Sequence, residues 1–256
     1  MTTMKTANKI LFITFGILVI AIFAIMLTIR IQLSKEVMEG SGMIISEPRE
    51  SRSFDGIVVQ GSIDVYLKQG DAHSIIVYAD DNLLEHIKTD INQDVLQISI
   101  GKRIKTIKKP KVYIEYVNME KLNASAGAKL HAETAIHGNE LSLNLRSGAE
   151  GHLNIIYQKA DIEIKTGASA TISGTVDTLI ADSATGSKLD AKNLKSVNCY
   201  VSSKGGSSIT VFVSGQLTAQ ASSGGIVRFT GDPIQTAHST SSGGVIVSYS
   251  ETFREE

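Results

Sequence analysis

The sequence has few of the residues that build disulfide scaffolds or large aromatic cores. Its 256 residues include one cysteine, Cys199, three prolines and no tryptophan, and aromatic residues make up 5%. A single cysteine excludes an intrachain disulfide, and we expect Cys199 to be a small buried side chain in a strand. The formal charge is only −1, so no overall field favours DNA or RNA, and we expect no nucleic-acid partner.

One long apolar run stands near the N-terminus. Residues Ile10 to Ile29 carry no charge, and at about 1.5 Å per helical residue they match a hydrocarbon core about 30 Å thick. The run predicts a transmembrane helix, preceded by a short cytoplasmic segment, residues 1–9. The alternative is a cleaved signal peptide, whose apolar region is typically about 7–15 residues long and ends in small residues. Arg30 to Leu33 make a poor cleavage site of that kind.

The charges that flank this run are nearly balanced. Lys5 and Lys9 precede it, and Arg30 and Lys35 follow it, so only the N-terminal amine favours an N-terminus inside the cell. We therefore expect the rest of the chain on the periplasmic or extracellular side. Residues 30–52 contain two glycines, a proline and several charges without a sustained period, which predicts a juxtamembrane linker.

Glycines recur at a nearly constant interval in the second half of the chain. The first interval is 21 residues and the following ones are 19, and each glycine lies among Ser, Thr and Ala. Such a fixed period predicts a repeat architecture. Apolar residues alternate on both sides of the glycines, as do Ile162 and Ile164 before Gly167, which is typical of strands with one buried face. We predict that the glycines occupy turns between strands: Gly127, Gly148, Gly167, Gly186, Gly205, Gly224 and Gly243.

This repeat predicts an all-β fold, a right-handed parallel β-helix with about 19 residues per coil over residues 53–249. Strands this short cannot enclose a core alone, whereas coils stacked about 4.8 Å apart share one. Right-handed crossovers between parallel strands are strongly preferred. The alternative is an immunoglobulin-like sandwich, which would not repeat the same turn at a constant interval. Bulkier strands before residue 117 predict the first coils and a cap, and residues 250–256 predict a polar tail.

Three segments together resemble the head GIN domain family of autotransporter adhesins from Bacteroidota envelopes. These are FDGIVVQGSIDVYLKQG, then ADDNLLEHIKTDI with VLQISI, and the recurring SGA-like turns. The resemblance covers residues 53–249. It implies a right-handed β-helix outside the cytoplasm and no established enzymatic activity. The chain departs from the family at its start, where many members look secreted or lipid-anchored.

Catalytic and cofactor motifs are missing from the sequence. It contains no GxxxxGK[ST] phosphate loop, and no G-x-S-x-G motif in a strand–turn–helix context. We therefore predict a non-catalytic protein without a cofactor. The less favoured alternative is a carbohydrate-active β-helix enzyme, for which the acids to inspect are Asp161, Glu163 and Asp182. Glu163 and Asp182 share a position in neighbouring coils and could hold a calcium ion, although single exposed acids on a polar sheet face explain them more simply.

Two histidines suggest a metal site. His131 and His152 each stand four residues after a turn glycine, so stacked coils bring them together, and two imidazoles are suitable ligands for a transition metal. The alternative is a pair of solvated histidines on an outward face.

A basic run between the bulkier strands is the one clear charge cluster. It predicts either a contact with anionic lipid or glycan, or a solvated loop. The function predicted from all these patterns is a membrane-anchored cell-envelope protein, held through Ile10 to Ile29, whose β-helix binds a glycan or an envelope protein. A structural or signalling role in the envelope is the main alternative. The residues of the basic run are Lys102, Arg103, Lys105, Lys108, Lys109 and Lys111.

Overall fold

The computed structural model of the chain describes residues 6–34, 37–101, 103–106 and 108–249. Residues 1–5 of the predicted cytoplasmic segment and the predicted tail 250–256 lie outside these residues. Helix α1 covers Thr6–Ser34. Many of its large apolar side chains are exposed, and Phe12, Ile20 and Phe23 expose 65%, 70% and 68% of their surface. Within the described part of the chain, no helix meets the length and apolar content required for crossing a membrane.

Two strands lie in the stretch predicted to be a linker. β1 (Val37–Glu39) pairs in parallel with β8 (Arg103–Lys105), and β2 (Ile44–Arg49) pairs antiparallel with β5 (Ser74–Asp80). β1 has only three residues and the side chains of β2 are mostly exposed, so neither gives a buried-face pattern in the sequence. The other elements of this part are β3 (Gly56–Gln60), β4 (Asp64–Gln69), a 3₁₀ helix (Asp81–His86), β6 (Ile87–Asn92), β7 (Val95–Ile100) and β9 (Lys111–Tyr116).

From residue 121 onward, successive turns of the chain pair in parallel. Leu143 lies beside Ile162, and Ile162 lies beside Ala181, so residues 19 positions apart are neighbours. The fold is a β-solenoid of about 7 turns with about 19 residues per turn, which confirms the predicted stacked coils. The right-handed sense of the coils stays a prediction. The strands are β10 (Lys121–Ser125), β11 (Lys129–Ala132), β12 (Ile136–Arg146), β13 (Glu150–Lys165), β14 (Ser169–Ala184), β15 (Lys188–Lys204), β16 (Ser208–Ser222), β17 (Ile226–Thr230), β18 (Gln235–Thr240) and β19 (Val245–Ser248).

The recurring glycines lie in tight turns between strands. Two consecutive residues have positive φ at each turn, for example Thr166 at 56° and Gly167 at 69°, as in type I′ turns, which favour glycine. At the doubled glycine, the strand register aligns Gly206, with φ of 69°, with Gly167. Gly205, with φ of 63°, takes the place of Thr166. The repeating position therefore belongs to Gly206, one residue after the predicted Gly205.

Inward side chains form columns along the axis of the solenoid. Leu122, Leu143, Ile162 and Ala181 occupy one column and are all buried. Each coil alone buries few apolar groups, and stacking joins them into one continuous core.

Two coils carry buried serines where earlier coils have apolar residues. The Ser183 and Ser187 hydroxyl oxygens lie 2.8 Å apart, and Ser187 Oγ donates to the carbonyl oxygen of Ile164 at 2.8 Å. Ser203 and Ser207 repeat the pair at 2.9 Å, and Ser207 Oγ donates to the carbonyl oxygen of Ser183 at 2.7 Å. These hydroxyls satisfy one another and the backbone, as buried polar groups require.

At the N-terminal end, the coils do not follow chain order. β3 pairs with β10 on one side and with β7 on the other, and β4 pairs in the same way with β11 and β9. The coil made by β3 and β4 is therefore enclosed by strands that come later in the chain. Beyond β7 and β9, the antiparallel strands β6 and β5 cover this end of the stack.

Gly174 marks a close approach between two coils. Its φ is 114°, and a Cβ atom at this position would lie 2.0 Å from the carbonyl oxygen of Ile155. The register pairs Gly174 with Ile155 of the preceding coil and Leu194 of the next one. Only glycine combines this φ with this contact.

Candidate functional site

One outward face of the solenoid carries four stacked rings. Tyr113, Tyr66, His131 and His152 occupy equivalent positions in β9, β4, β11 and β13. The ring centroids are 4.7 Å apart for the two tyrosines, 5.0 Å apart for Tyr66 and His131, and 5.5 Å apart for the two histidines. Their planes are within 11°, 19° and 12° of parallel. We call these four residues the ring ladder.

The ring ladder follows from the alternation of side chains along each strand. Val65 and Leu130 are buried, so Tyr66 and His131, which follow them in the sequence, point to the outer face. Parallel coils about 4.8 Å apart then place equivalent rings at stacking distance. Tyr66, Tyr113 and His131 are half-buried by this stacking, while His152 is exposed.

A column of alternating charge runs beside the ring ladder. It contains Lys111, Asp64, Lys129 and Glu150, each two residues before a ladder residue. Lys129 Nζ lies 2.6 Å from Glu150 Oε2, and this hydrogen bond raises the pKa of Lys129 and lowers the pKa of Glu150. Lys111 Nζ lies 5.4 Å from the ring centroid of Tyr66, within the range of a cation–π contact. Because the charges alternate, this face offers hydrogen bonds and ring edges rather than a field of one sign.

The two predicted metal ligands are neighbours in the ring ladder. Burial, and then the charge of His152, lowers the pKa of His131, which favours the neutral imidazole that binds metals. However, the two rings are nearly parallel, so a shared ion would require one of them to rotate. No group of three or more metal-ligating side chains occurs among the residues that the structure describes. Metal binding by His131 and His152 stays a prediction.

A hollow lies near the end of the strand that carries Tyr66. It has a volume of about 510 Å³ and is lined partly by Gln69, Thr134 and His137. The Gln69 side chain crosses from coil to coil: its Oε1 accepts from the backbone N–H of His137 at 2.7 Å, and its Nε2 donates to the carbonyl oxygen of Val117 at 2.9 Å. Gln69 therefore satisfies backbone groups, as a structural side chain does.

The surroundings of Glu163 differ from those of a general acid in a glycosidase. Glu163 forms an ion pair with Lys165 and accepts a hydrogen bond from Asn144 Nδ2 at 2.6 Å. The Lys165 contact lowers the pKa of Glu163. A general acid in a glycosidase needs a raised pKa, so Glu163 does not suit that role. Asp182 lies beside Glu163 in the register, as predicted from the repeat.

Cys199 is fully buried in the core. Burial raises the pKa of its thiol to about 11, although a hydrogen bond with Ser196 acts in the opposite direction. The thiol therefore stays protonated and packs as a small apolar group.

Sequence reasoning missed the two tyrosines of the ring ladder. The histidines were found because the repeat fixes the register between β11 and β13. Tyr66 and Tyr113 come from coils outside the repeat and outside chain order, so no constant interval relates them to His131. The available signal was local: each tyrosine directly follows a buried valine, Val65 or Val112, in an alternating strand.

The chain belongs to the family described as "Putative auto-transporter adhesin, head GIN domain", whose model matches residues 53–233. This match confirms the resemblance seen in the sequence. Among curated proteins, no match to the chain was found.

Several solved structures have the same fold. A "putative adhesin" from Bacteroides fragilis superposes with a TM-score of 0.77 at 19% identity, covering 83% of this chain and all of that one. A "putative adhesin" from Parabacteroides merdae gives 0.68 at 19% identity, covering 84% of this chain and all of that one. A "putative lipid binding protein" from Parabacteroides distasonis superposes with a TM-score of 0.67 at 18% identity, covering 84% of this chain and all of that one. At these identities the likeness concerns the fold alone.

Proposed function

We propose that this protein is a membrane-anchored, non-catalytic component of the cell envelope, whose solenoid binds a glycan or an envelope protein through the ring ladder. The observation that carries this proposal is the row of stacked, partly exposed rings beside a column of alternating charge. Ring edges, hydroxyls and imidazole nitrogens at a regular spacing suit a ligand that is itself extended and repetitive. The family description and the adhesin names of the similar structures support an adhesive role.

The proposed anchor is helix α1. Phe12, Ile20 and Phe23 are among large apolar side chains exposed along it, and moving each such side chain out of water contributes about 1.5–3 kcal/mol. Insertion into a membrane would remove this apolar surface from water. The flanking charges are nearly balanced, and the N-terminal amine favours a cytoplasmic N-terminus with the solenoid on the periplasmic or extracellular side.

The anchor is tested by fractionation of cells that carry the full chain. We expect the protein in the membrane pellet after carbonate washing, and we expect added protease to digest the solenoid in intact or outer-permeabilised cells. Recovery in the soluble fraction would overturn the anchor, and protection from protease would overturn the orientation.

The binding face is tested with the full chain in lipid nanodiscs, on a glycan array and in pull-downs from envelope extracts. The variant Tyr113→Leu/His152→Ala removes two members of the ring ladder. Its matched control, Tyr200→Leu/His137→Ala, removes a tyrosine and a histidine that are exposed and do not belong to the ring ladder.

We expect the wild-type protein and the control to retain a ligand that the ladder variant loses. Equal binding by both variants would place the ligand elsewhere. Capture of one envelope protein with no glycan signal would favour the structural or signalling alternative. Shortened glycan products in the presence of the protein would overturn the non-catalytic assignment.

A further inference from the structure

The basic run is held next to the end of helix α1. β1 begins at Val37, three residues after the last residue of the helix, Ser34. The parallel register of β1 and β8 places Arg103 beside Val37 and Lys105 beside Glu39. Residues distant in the sequence therefore meet where the chain leaves the proposed anchor.

A buried carboxylate fixes the same segment a second time. Asp80 is only 2% exposed, and it accepts hydrogen bonds from the backbone N–H of Gly42 at 2.7 Å and from Thr106 Oγ1 at 2.6 Å. It thus joins the stretch after β1 to the loop after β8. A Cβ atom at Gly40 would lie 2.3 Å from Asp80 Oδ2, which shows how closely the backbone passes this side chain.

Asn82 adds two further contacts between these segments. Its Nδ2 donates to the carbonyl oxygen of Glu39 at 2.8 Å, and its Oδ1 accepts from the backbone N–H of Ser41 at 3.0 Å. The stretch from Val37 to Met43 is therefore held in place by hydrogen bonds rather than being a free linker, and we call it the stem.

Chain length limits how far the basic run can lie from the membrane. Three extended residues span at most about 11 Å, and paired strands lie about 4.8 Å apart, so the backbone of Arg103 lies within about 16 Å of the helix end. A headgroup layer about 5–8 Å thick and a Debye length of about 8 Å cover much of this distance. Lys108 and Lys109 add exposed positive charges five and six residues after Arg103.

We propose that the basic loop, by which we mean β8 together with the following Lys108 and Lys109, binds anionic phospholipid headgroups of the membrane that holds helix α1; this inference rests on the proposed anchor. Anionic phospholipid is the chosen ligand because its negative charge complements the positive charge of the loop. A neutral headgroup would make no comparable electrostatic contact. Each cation that reaches the headgroups strengthens the association about fivefold. The solenoid then stands with its capped N-terminal end against the membrane and the ring ladder running away from it.

Hydrogen exchange of the full chain in nanodiscs tests this arrangement. Discs of phosphatidylcholine alone are compared with discs that also contain phosphatidylglycerol, at low and high salt. A loop variant carries Arg103→Gln, Lys105→Gln, Lys108→Gln and Lys109→Gln. A matched variant removes four cations from the solenoid through Lys121→Gln, Lys159→Gln, Lys195→Gln and Lys204→Gln.

We expect the backbone amides of the loop to exchange at least about fivefold more slowly with phosphatidylglycerol, corresponding to one engaged cation. High salt and the loop variant should abolish this effect, whereas the matched variant should keep it. Equal exchange in both kinds of disc, with the protein present in both, overturns the lipid contact and leaves the anchor intact. Failure of the protein to enter either disc overturns the anchor and this inference with it. Protection by a soluble anionic glycan but not by phosphatidylglycerol would assign the loop to glycan and overturn the lipid proposal.

Discussion

Replacing Gly174 by alanine is expected to destabilise the solenoid far more than the same change at Gly167. At Gly174 the new Cβ would lie 2.0 Å from the carbonyl oxygen of Ile155, and φ is 114°. A φ outside the common wells costs about 1–3 kcal/mol, and forced overpacking adds about 1–3 kcal/mol. The sum is about 2–6 kcal/mol, a large share of the roughly 5–15 kcal/mol that stabilises a typical domain.

Gly167 provides the matched control for this prediction. Its φ is 69°, and an added Cβ would meet no atom within 4 Å. Alanine in the left-handed region costs about 1–2 kcal/mol, which a less flexible unfolded chain offsets by about 0.4–1 kcal/mol. We therefore expect Gly167→Ala to cost about 1 kcal/mol, and Gly167→Asn to cost less because asparagine tolerates this region.

Urea unfolding of the full chain in nanodiscs, followed by circular dichroism, measures these differences. Hydrogen exchange in β13 and β14 reports whether the damage is local, since coils of a solenoid can open separately. The expected order of stability is wild type, Gly167→Asn, Gly167→Ala and then Gly174→Ala. If Gly174→Ala is as stable as Gly167→Ala, the close approach of the coils at this position is wrong.

Four further predictions concern buried and stacked side chains. Ser183→Ala and Ser187→Ala should each lower the free energy of unfolding in urea by about 1–2 kcal/mol. The double variant should lose less than the sum of the two, because each single change leaves the other hydroxyl short of a partner. Additive losses would contradict the hydrogen-bonded pair. Stability should fall as pH drops below about 6.5, because the pKa of His131 is lower in the folded state than in the unfolded one. His131→Gln should reduce this loss of stability at low pH. An unchanged pH profile in this variant would contradict the role of His131. Cys199 should resist thiol reagents until the protein unfolds. Zinc should bind the wild-type protein more tightly than His131→Ala/His152→Ala, and equal affinity would exclude that site.

The architecture could be predicted because the repeat carries its own register. Once the turn glycines are aligned, the alternation around Ile162 and Ile164 decides which side chains face inward. Aligning Gly127 with Gly148 then puts His131 and His152 into one column. These arguments need only a constant interval and the period of a strand.

The N-terminal coils and the stem could not be predicted, because they depend on contacts between residues that no constant sequence interval relates. β3 is enclosed between β7 and β10, which an argument that follows chain order cannot find, so Tyr66 and Tyr113 were not assigned to the ring ladder. The stem is held by Asp80 and Asn82, polar residues whose partners lie about 40 positions away in the sequence. Short exposed strands and tertiary hydrogen bonds leave little trace in hydropathy patterns.

The enclosed position of the coil formed by β3 and β4 has a consequence for folding during synthesis. Residue 64 finds its two neighbours at residues 111 and 129, so both flanks of this coil are still unmade when its own strands appear. This coil therefore stays incomplete until β11 has emerged, whereas each regular coil needs only about the next 19 residues for its outer neighbour. The N-terminal end thus has longer loops to close before its strands pair, and its folding should be slower than the addition of one regular coil.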